Sequence, residues 1–499
     1  MSCNMTIFNK LNEIRTSVGQ QVTSGLSDNV INEFTQRDNN LQQAVDAAYI
    51  AYTELSSAYP QLMALDEAEQ IKVMQEGIVN FYDEDVVNPF VPLAARGPWV
   101  ITTKGAVIHD NGGYGMLCFG HTPFPVIEAM ANPQVMANIM TPSFSQRRFI
   151  TALQNEVGHS IDGCPYSGFL FLNSGSEVVT VGARISDINA RIATDQGGQH
   201  EGQCIKHVAL KGSFHGRTDR PSQYSDSTLQ TCQKYLASYK GIDNLLTVEP
   251  NNLEHLKQVF EQAEADSTYI ESMFMEPVMG EGNPGQAISR EFYDLARQLT
   301  EQHGSLLLVD SIQAGLRAHG CLSIVDYPGF EGIEPPDLET WSKALNAGQY
   351  PFSVLAMTEK TANLYKKGVY GNTMTTNPRA LDVAAKVLSM ITPEVRQNIQ
   401  QKGELLVARL TQLAEELGGL ITGVQGTGLL VSCELHSDYK CFGKNSIEEV
   451  MRQQGVGVIH GGENSLRFTP HFNITPEEIE LIITAVKQAL QSKSQNKAA

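Results

Sequence analysis

Between about residues 145 and 380, short apolar runs alternate with longer stretches whose apolar positions recur at helical spacing. The runs are GFLFLN, HVALKG, YIESMFMEP, SLLLVDS and SVLAMT. Unbroken apolar runs of this length suit strands buried on both faces, and their alternation with helices predicts a largely parallel sheet built from βα units. Upstream, GPWVITTKGAVIHDNGG alternates like two hairpin strands that turn at Lys104-Gly105. Residues 1–92 are mostly polar and helical in spacing, as in NNLQQAVDAAYIAYTEL and EAEQIKVMQEGIVNFY, and carry no chemical motif. Residues 381–415 read as one long amphipathic helix, and the segment from GTGLLVSCEL to ITPEEIELIITAVKQALQ as a smaller α+β lobe. The polar tail SKSQNKAA is expected to fray. The pattern predicts a helical extension (1–92), the first part of a small domain (93–144), a large α/β domain (145–385) and the rest of the small domain (386–499).

At 499 residues the chain exceeds one compact core, so more than one lobe is expected. A net charge of −19 argues against nucleic acid or an anionic membrane as a main partner. Eight scattered cysteines with no CxxC pair, and no metal-type histidine spacing, fit free thiols in a reducing cytosol. The N-terminus lacks the plan of a signal peptide and no apolar run reaches membrane-spanning length, so a cytoplasmic location is expected.

Several segments carry chemistry. FLFLNSGSE (169–177) is a strand, a turn of small residues and a helix start, where unpaired backbone N–H groups attract phosphate. The same stretch also fits an ordinary capped helix. KGSFHGRT (211–218) puts Phe214 and His215 after another strand; each alone also fits a core aromatic or a structural histidine. MFMEPVMGEGNPG (273–285) places Glu276 and Glu281 in a loop after a strand, where open α/β sheets bind ligands. LLLVDSIQAG (306–315) ends a buried strand on Asp310, a costly placement unless something positive or protonated meets it. In WSKALNAG, Lys343 is either snorkelling or a partly desolvated amine of the kind Schiff-base chemistry needs. Together these parts suit pyridoxal phosphate, whose protonated ring nitrogen would meet Asp310. Residues two apart on a strand share a face, so Ile312 can pack against the ring while Asp310 reaches its nitrogen, and Gln313 is placed to bond the phenolic oxygen.

With DNGGYGMLCFGHTPFPVIEAM, FLNSGSE, FHGRT, MEPVMGEG, LLLVDSIQAG, SKALNAG, TMTTNP, GTGLL and LRFTPHFNITPEEIE in order, residues 95–490 resemble the class III aminotransferases. The resemblance implies the fold type I architecture: a large domain with a mostly parallel seven-stranded sheet, plus a smaller α+β domain. It implies that Lys343 binds pyridoxal phosphate covalently, Asp310 pairs with the pyridinium and Gln313 contacts the phenolic oxygen. Phe214 and Ile312 would sandwich the ring beside His215, and Gly175 and Ser176 would hold the phosphate. Thr373 matches a threonine that reaches the phosphate from the neighbouring subunit, so a homodimer with shared active sites is implied, with further association left open. Arg467 matches an arginine that grips a substrate carboxylate, and Glu281 the acid that pairs with it and moves aside for 2-oxoglutarate. The implied activity is transfer of an amino group from an amino acid or ω-amine to a 2-oxo acid by a ping-pong route.

The sequence departs from the family pattern at Ser311, where glutamate is usual, at Ala314 and Thr180, at Thr375-Thr376, and in its long N-terminal extension. These departures bear on substrate identity and leave the cofactor-holding residues intact. A racemase, epimerase or aminomutase on the same fold is the alternative, with Arg317 similar to an aminomutase pattern; a catalytically silent binding protein is a further one.

Overall fold

The computed structural model describes residues 5–135 and 138–498, which cluster into two units. Of the described residues, the first comprises those within 1–123, 402–425 and 431–499, and the second those within 124–401 and 426–430. Among the described residues, no helix is long and apolar enough to cross a membrane. The seven described cysteines are free, and Cys3 lies outside the described residues.

In the first unit, β1 (Pro92–Arg96), β2 (Trp99–Thr102) and β3 (Val107–Asp110) form an antiparallel meander, with the hairpin expected at Lys104-Gly105. The N-terminal residues fold into helices, and the longest of these, Asn39–Ala58, packs on β1 and β2. Buried Trp99 joins the two layers: its ring lies 5.1 Å from that of Phe34 and its indole N–H donates to Asp38 at 2.7 Å. The same unit brings together His109, His471 and Glu478, which are distant in sequence. Each imidazole Nε2 lies 2.9 Å from Glu478 Oε1, and the two rings hold that carboxyl well below the usual carboxylate range despite its burial. The last helix, Pro476–Ala498, continues through the tail expected to fray. Glutamine, lysine and alanine there are sound helix formers.

The second unit is built on one sheet of seven strands: β4 (Gly168–Leu172), β5 (Cys204–Leu210), β6 (Leu245–Val248), β7 (Thr268–Met275), β8 (Leu306–Asp310), β9 (Leu338–Trp341) and β10 (Ser353–Met357). Their order is β4-β10-β9-β8-β7-β5-β6, parallel except that β10 runs antiparallel to both neighbours. Helix Gly175–Thr194 lays Val178, Val181 and Ile185 on Leu308, Leu338 and Leu355. Each such side chain, fully buried, contributes about 1.5–3 kcal/mol. Gly182 permits the approach, since a Cβ there would meet Leu308 Cδ1 at 2.6 Å.

The long helix expected over 381–415 is two helices, Pro378–Ser389 and Pro393–Glu416. Proline disfavours helical geometry in the residue before it and cannot donate its own backbone bond, so the first helix ends and Pro393 starts the second.

Candidate active site

The carboxyl ends of the parallel strands in the second unit surround a half-open cavity of about 230 Å³. Gly175, Ser176, Phe214, His215, Glu281, Asp310, Ile312, Gln313 and Lys343, all singled out from the sequence, line it.

Each is delivered by local chain chemistry. β4 ends at Leu172, and Ser174 caps the following helix by accepting from Glu177 N, so Gly175 and Ser176 occupy the first helical turn. That turn carries unpaired N–H groups and the positive end of the helix dipole. A Cβ on Gly216, whose φ is +119°, would meet Ser176 Oγ at 2.3 Å, so glycine keeps this cradle open.

Asp310 closes β8 and is 4% exposed. Its Oδ1 accepts from Thr340 Oγ1 at 3.0 Å and Ile312 N at 3.1 Å, and its Oδ2 faces His215 Nδ1 at 2.8 Å. A carboxylate can only accept, so His215 Nδ1 carries the proton. His215 Nε2 is buried without a hydrogen-bond partner. Glu276, at the end of β7, accepts from Phe214 N at 3.0 Å and Gly280 N at 2.8 Å. Burial, with the Asp310 charge adding to it against the opposing pull of His215 and these N–H groups, pushes its carboxyl up to about 7.

Lys343 follows β9 in a left-handed conformation, φ +44°, which a lysine adopts at a cost. Its Nζ donates to Gln313 Oε1, which leaves Gln313 Nε2 buried with no partner. At the mouth, Arg217 lies over the Phe214 ring, 5.5 Å from its centroid, and 3.9 Å from Glu281.

These features fit pyridoxal phosphate. A helix start suits its phosphate, a buried acid its ring nitrogen, the orphaned Gln313 amide N–H its phenolic oxygen, and Lys343 its aldehyde. Ile312 and Phe214 keep half-exposed apolar faces toward the cavity for its ring.

Thr373 is exposed in the loop before helix Pro378–Ser389 and does not line the cavity. Arg467 belongs to the first unit, where it is buried on the strand Ser465–Phe468. Arg317 is also buried away from the cavity lining and donates to Leu429 O at 3.2 Å. Sequence reasoning placed Glu276 in a ligand-binding loop without giving it a contact, and assigned no role to Arg217 or Thr340. Glu276 and Arg217 lie inside motifs already quoted, whereas nothing in the local sequence marks Thr340, which reaches Asp310 only through strand register.

The family model for class-III aminotransferases matches residues 81–490. The ornithine aminotransferase of Toxoplasma gondii ME49 superposes with a TM-score of 0.73 at 20% identity, covering 88% of this chain and 99% of that one. The acetylornithine aminotransferase of Elizabethkingia anophelis gives 0.67 at 19%, over 86% of this chain and 100% of that one. An S-selective transaminase from Bacillus megaterium gives 0.70 at 16%, over 86% and 98%. At such identities the likeness is one of fold.

Proposed function

Because the chain belongs to the class-III aminotransferases, whose cofactor is pyridoxal phosphate, we propose that it moves an amino group from an ω-amine or amino acid to a 2-oxo acid, with 2-oxoglutarate as the acceptor. The observation that carries this reading is the convergence of Lys343, Asp310 and the unpartnered Gln313 amide N–H on one cavity.

When bound, the cofactor supplies an electron sink for the substrate carbon. The protein's residues supply the rest. Asp310 stabilises the protonated ring nitrogen and is oriented by His215 and Thr340. Gly175 and Ser176 would hold the phosphate, Phe214 and Ile312 would flank the ring, and Gln313 Nε2 would donate to the phenolic oxygen. Lys343 Nζ, at the cavity beside Gln313, would act as the base that takes the proton from the substrate carbon and hands it back. Arg217 and Glu281 form a loose pair at the mouth, and a substrate carboxylate can replace Glu281 on the guanidinium. From the sequence match, Arg467 is proposed to bind a substrate carboxylate, and Thr373 to reach the phosphate of a second subunit in a homodimer.

The test is a single turnover without acceptor, using glutamate, ornithine, lysine, 4-aminobutyrate and a diamine in turn. Loss of the cofactor's long-wavelength band with one donor, reversed by 2-oxoglutarate, is the expected result. A band that survives every donor while the substrate α-proton exchanges with solvent would instead indicate a racemase.

A further inference from the structure

We propose that Glu339 and Thr340, adjacent on β9, act as positioning residues that grip the end of β8 from both faces and fix the aim of Asp310 and the Ser311–Gln313 turn. This rests on the assignment of the cavity to pyridoxal phosphate.

β8 and β9 run parallel with Val309 opposite Glu339 and Asp310 opposite Thr340. Successive strand residues point to opposite faces, so the two β9 side chains reach different partners. On one face Thr340 Oγ1 donates to Asp310 Oδ1 at 3.0 Å. On the other, Glu339 Oε1 accepts from Ser311 Oγ at 2.6 Å and from Ile324 N at 3.0 Å. The second oxygen, Oε2, accepts from Tyr166 Oη at 2.7 Å and from Ser323 Oγ. Between the two side chains, Thr340 O accepts from Ser311 N at 3.0 Å. Asp310 and Ser311 are thus held by consecutive residues of one neighbouring strand.

Glu339 is fully buried, and its strand neighbours Leu338 and Trp341 are apolar. Burial penalises its charged form and drives its carboxyl upward. The packing of an apolar sheet gives no reason for an acid there. The hydroxyls of Ser311, Ser323 and Tyr166 converge on it and give it one: it ties the turn after Asp310 to the loop at Ser323-Ile324 and to the entry of β4. Asp310 therefore meets the ring with both oxygens engaged, Oδ1 by Thr340 and Ile312 N and Oδ2 by His215, and little freedom remains in the plane of its carboxylate.

The variants are Thr340→Val, which keeps shape and loses the hydroxyl, Thr340→Ser, which restores it, and Glu339→Gln, which keeps the shape of the acid without its charge. Cofactor dissociation constants, the pH midpoint of the visible band of the loaded protein, and unfolding midpoints of the cofactor-free protein are measured for each. Thr340→Val and Glu339→Gln are expected to bind cofactor about tenfold more weakly, as for the loss of one buried hydrogen bond, and to shift the pH midpoint. Thr340→Ser is expected to recover both. Unchanged affinity and midpoint in Thr340→Val and Glu339→Gln would overturn the proposal, as would a fall in unfolding midpoint with no spectral change. If the unmodified protein bound no cofactor, the assignment of the cavity would fall and this proposal with it; unmodified binding with indifferent variants would sink the proposal alone.

Discussion

His215 Nδ1 and Asp310 Oδ2 lie 2.8 Å apart in a buried pair, although 95 positions separate them in the chain. His215 comes from the loop after β5 and Asp310 from the end of β8, and both line the cavity. Replacing His215 with phenylalanine removes a hydrogen-bond partner of Asp310, the acid proposed to pair with the ring nitrogen. Loss of such a charge-assisted bond predicts a drop in turnover of about tenfold to a hundredfold. Steady-state kcat at saturating donor and cofactor checks this; an unchanged kcat would remove His215 from the site.

Glu276 makes a prediction about pH. Its carboxyl titrates at about 7 in the folded chain, against 4.5 for an ordinary glutamate. A raised acid favours the folded state while it keeps its proton, so this contribution is complete below 4.5 and is lost as pH rises through 7. The full swing is about 3 kcal/mol. Urea unfolding of cofactor-free protein should show stability falling across that window, and Glu276→Gln should flatten the fall.

Much of this was legible in the apolar pattern, because strands buried on both faces read as unbroken runs. That pattern located β4, β5, β7, β8 and β10, and the motifs at their ends predicted which side chains would meet. It did not pick out β6 or β9. Both are four residues long, and β9 carries Glu339 and Thr340 inside an otherwise apolar segment. The residue pair that breaks the apolar signal is the pair that contacts Ser311 and Asp310. Contacts set by strand register, such as Thr340 with Asp310, leave no local trace in a single sequence.

Gly216→Ala tests the phosphate cradle. The new Cβ would fall 2.3 Å from Ser176 Oγ and 3.0 Å from its Cβ, at a φ of +119° that alanine resists. Strain and crowding of this kind destabilise by about 1–3 kcal/mol. Cofactor affinity should drop along with the melting temperature, and full affinity would show that Ser176 does not meet the phosphate.

Arg217 and Glu281 are 3.9 Å apart and partly exposed, with side chains 47% and 31% accessible. Such a pair is worth about 0–1 kcal/mol of stability. Arg217→Gln should therefore leave the melting temperature in place while raising KM for substrates that carry a carboxylate near the mouth, by about tenfold. A KM change confined to substrates without a carboxylate would contradict this role.

The most direct measurement is to load the protein with pyridoxal phosphate, reduce it with borohydride, digest it and find by mass spectrometry the peptide that carries the added mass. The predicted carrier is the peptide containing Lys343, with no label on Lys343→Ala treated in the same way. Label on a different lysine of the unmodified protein, or labelling that persists in Lys343→Ala, would contradict the assignment of this cavity as the active site.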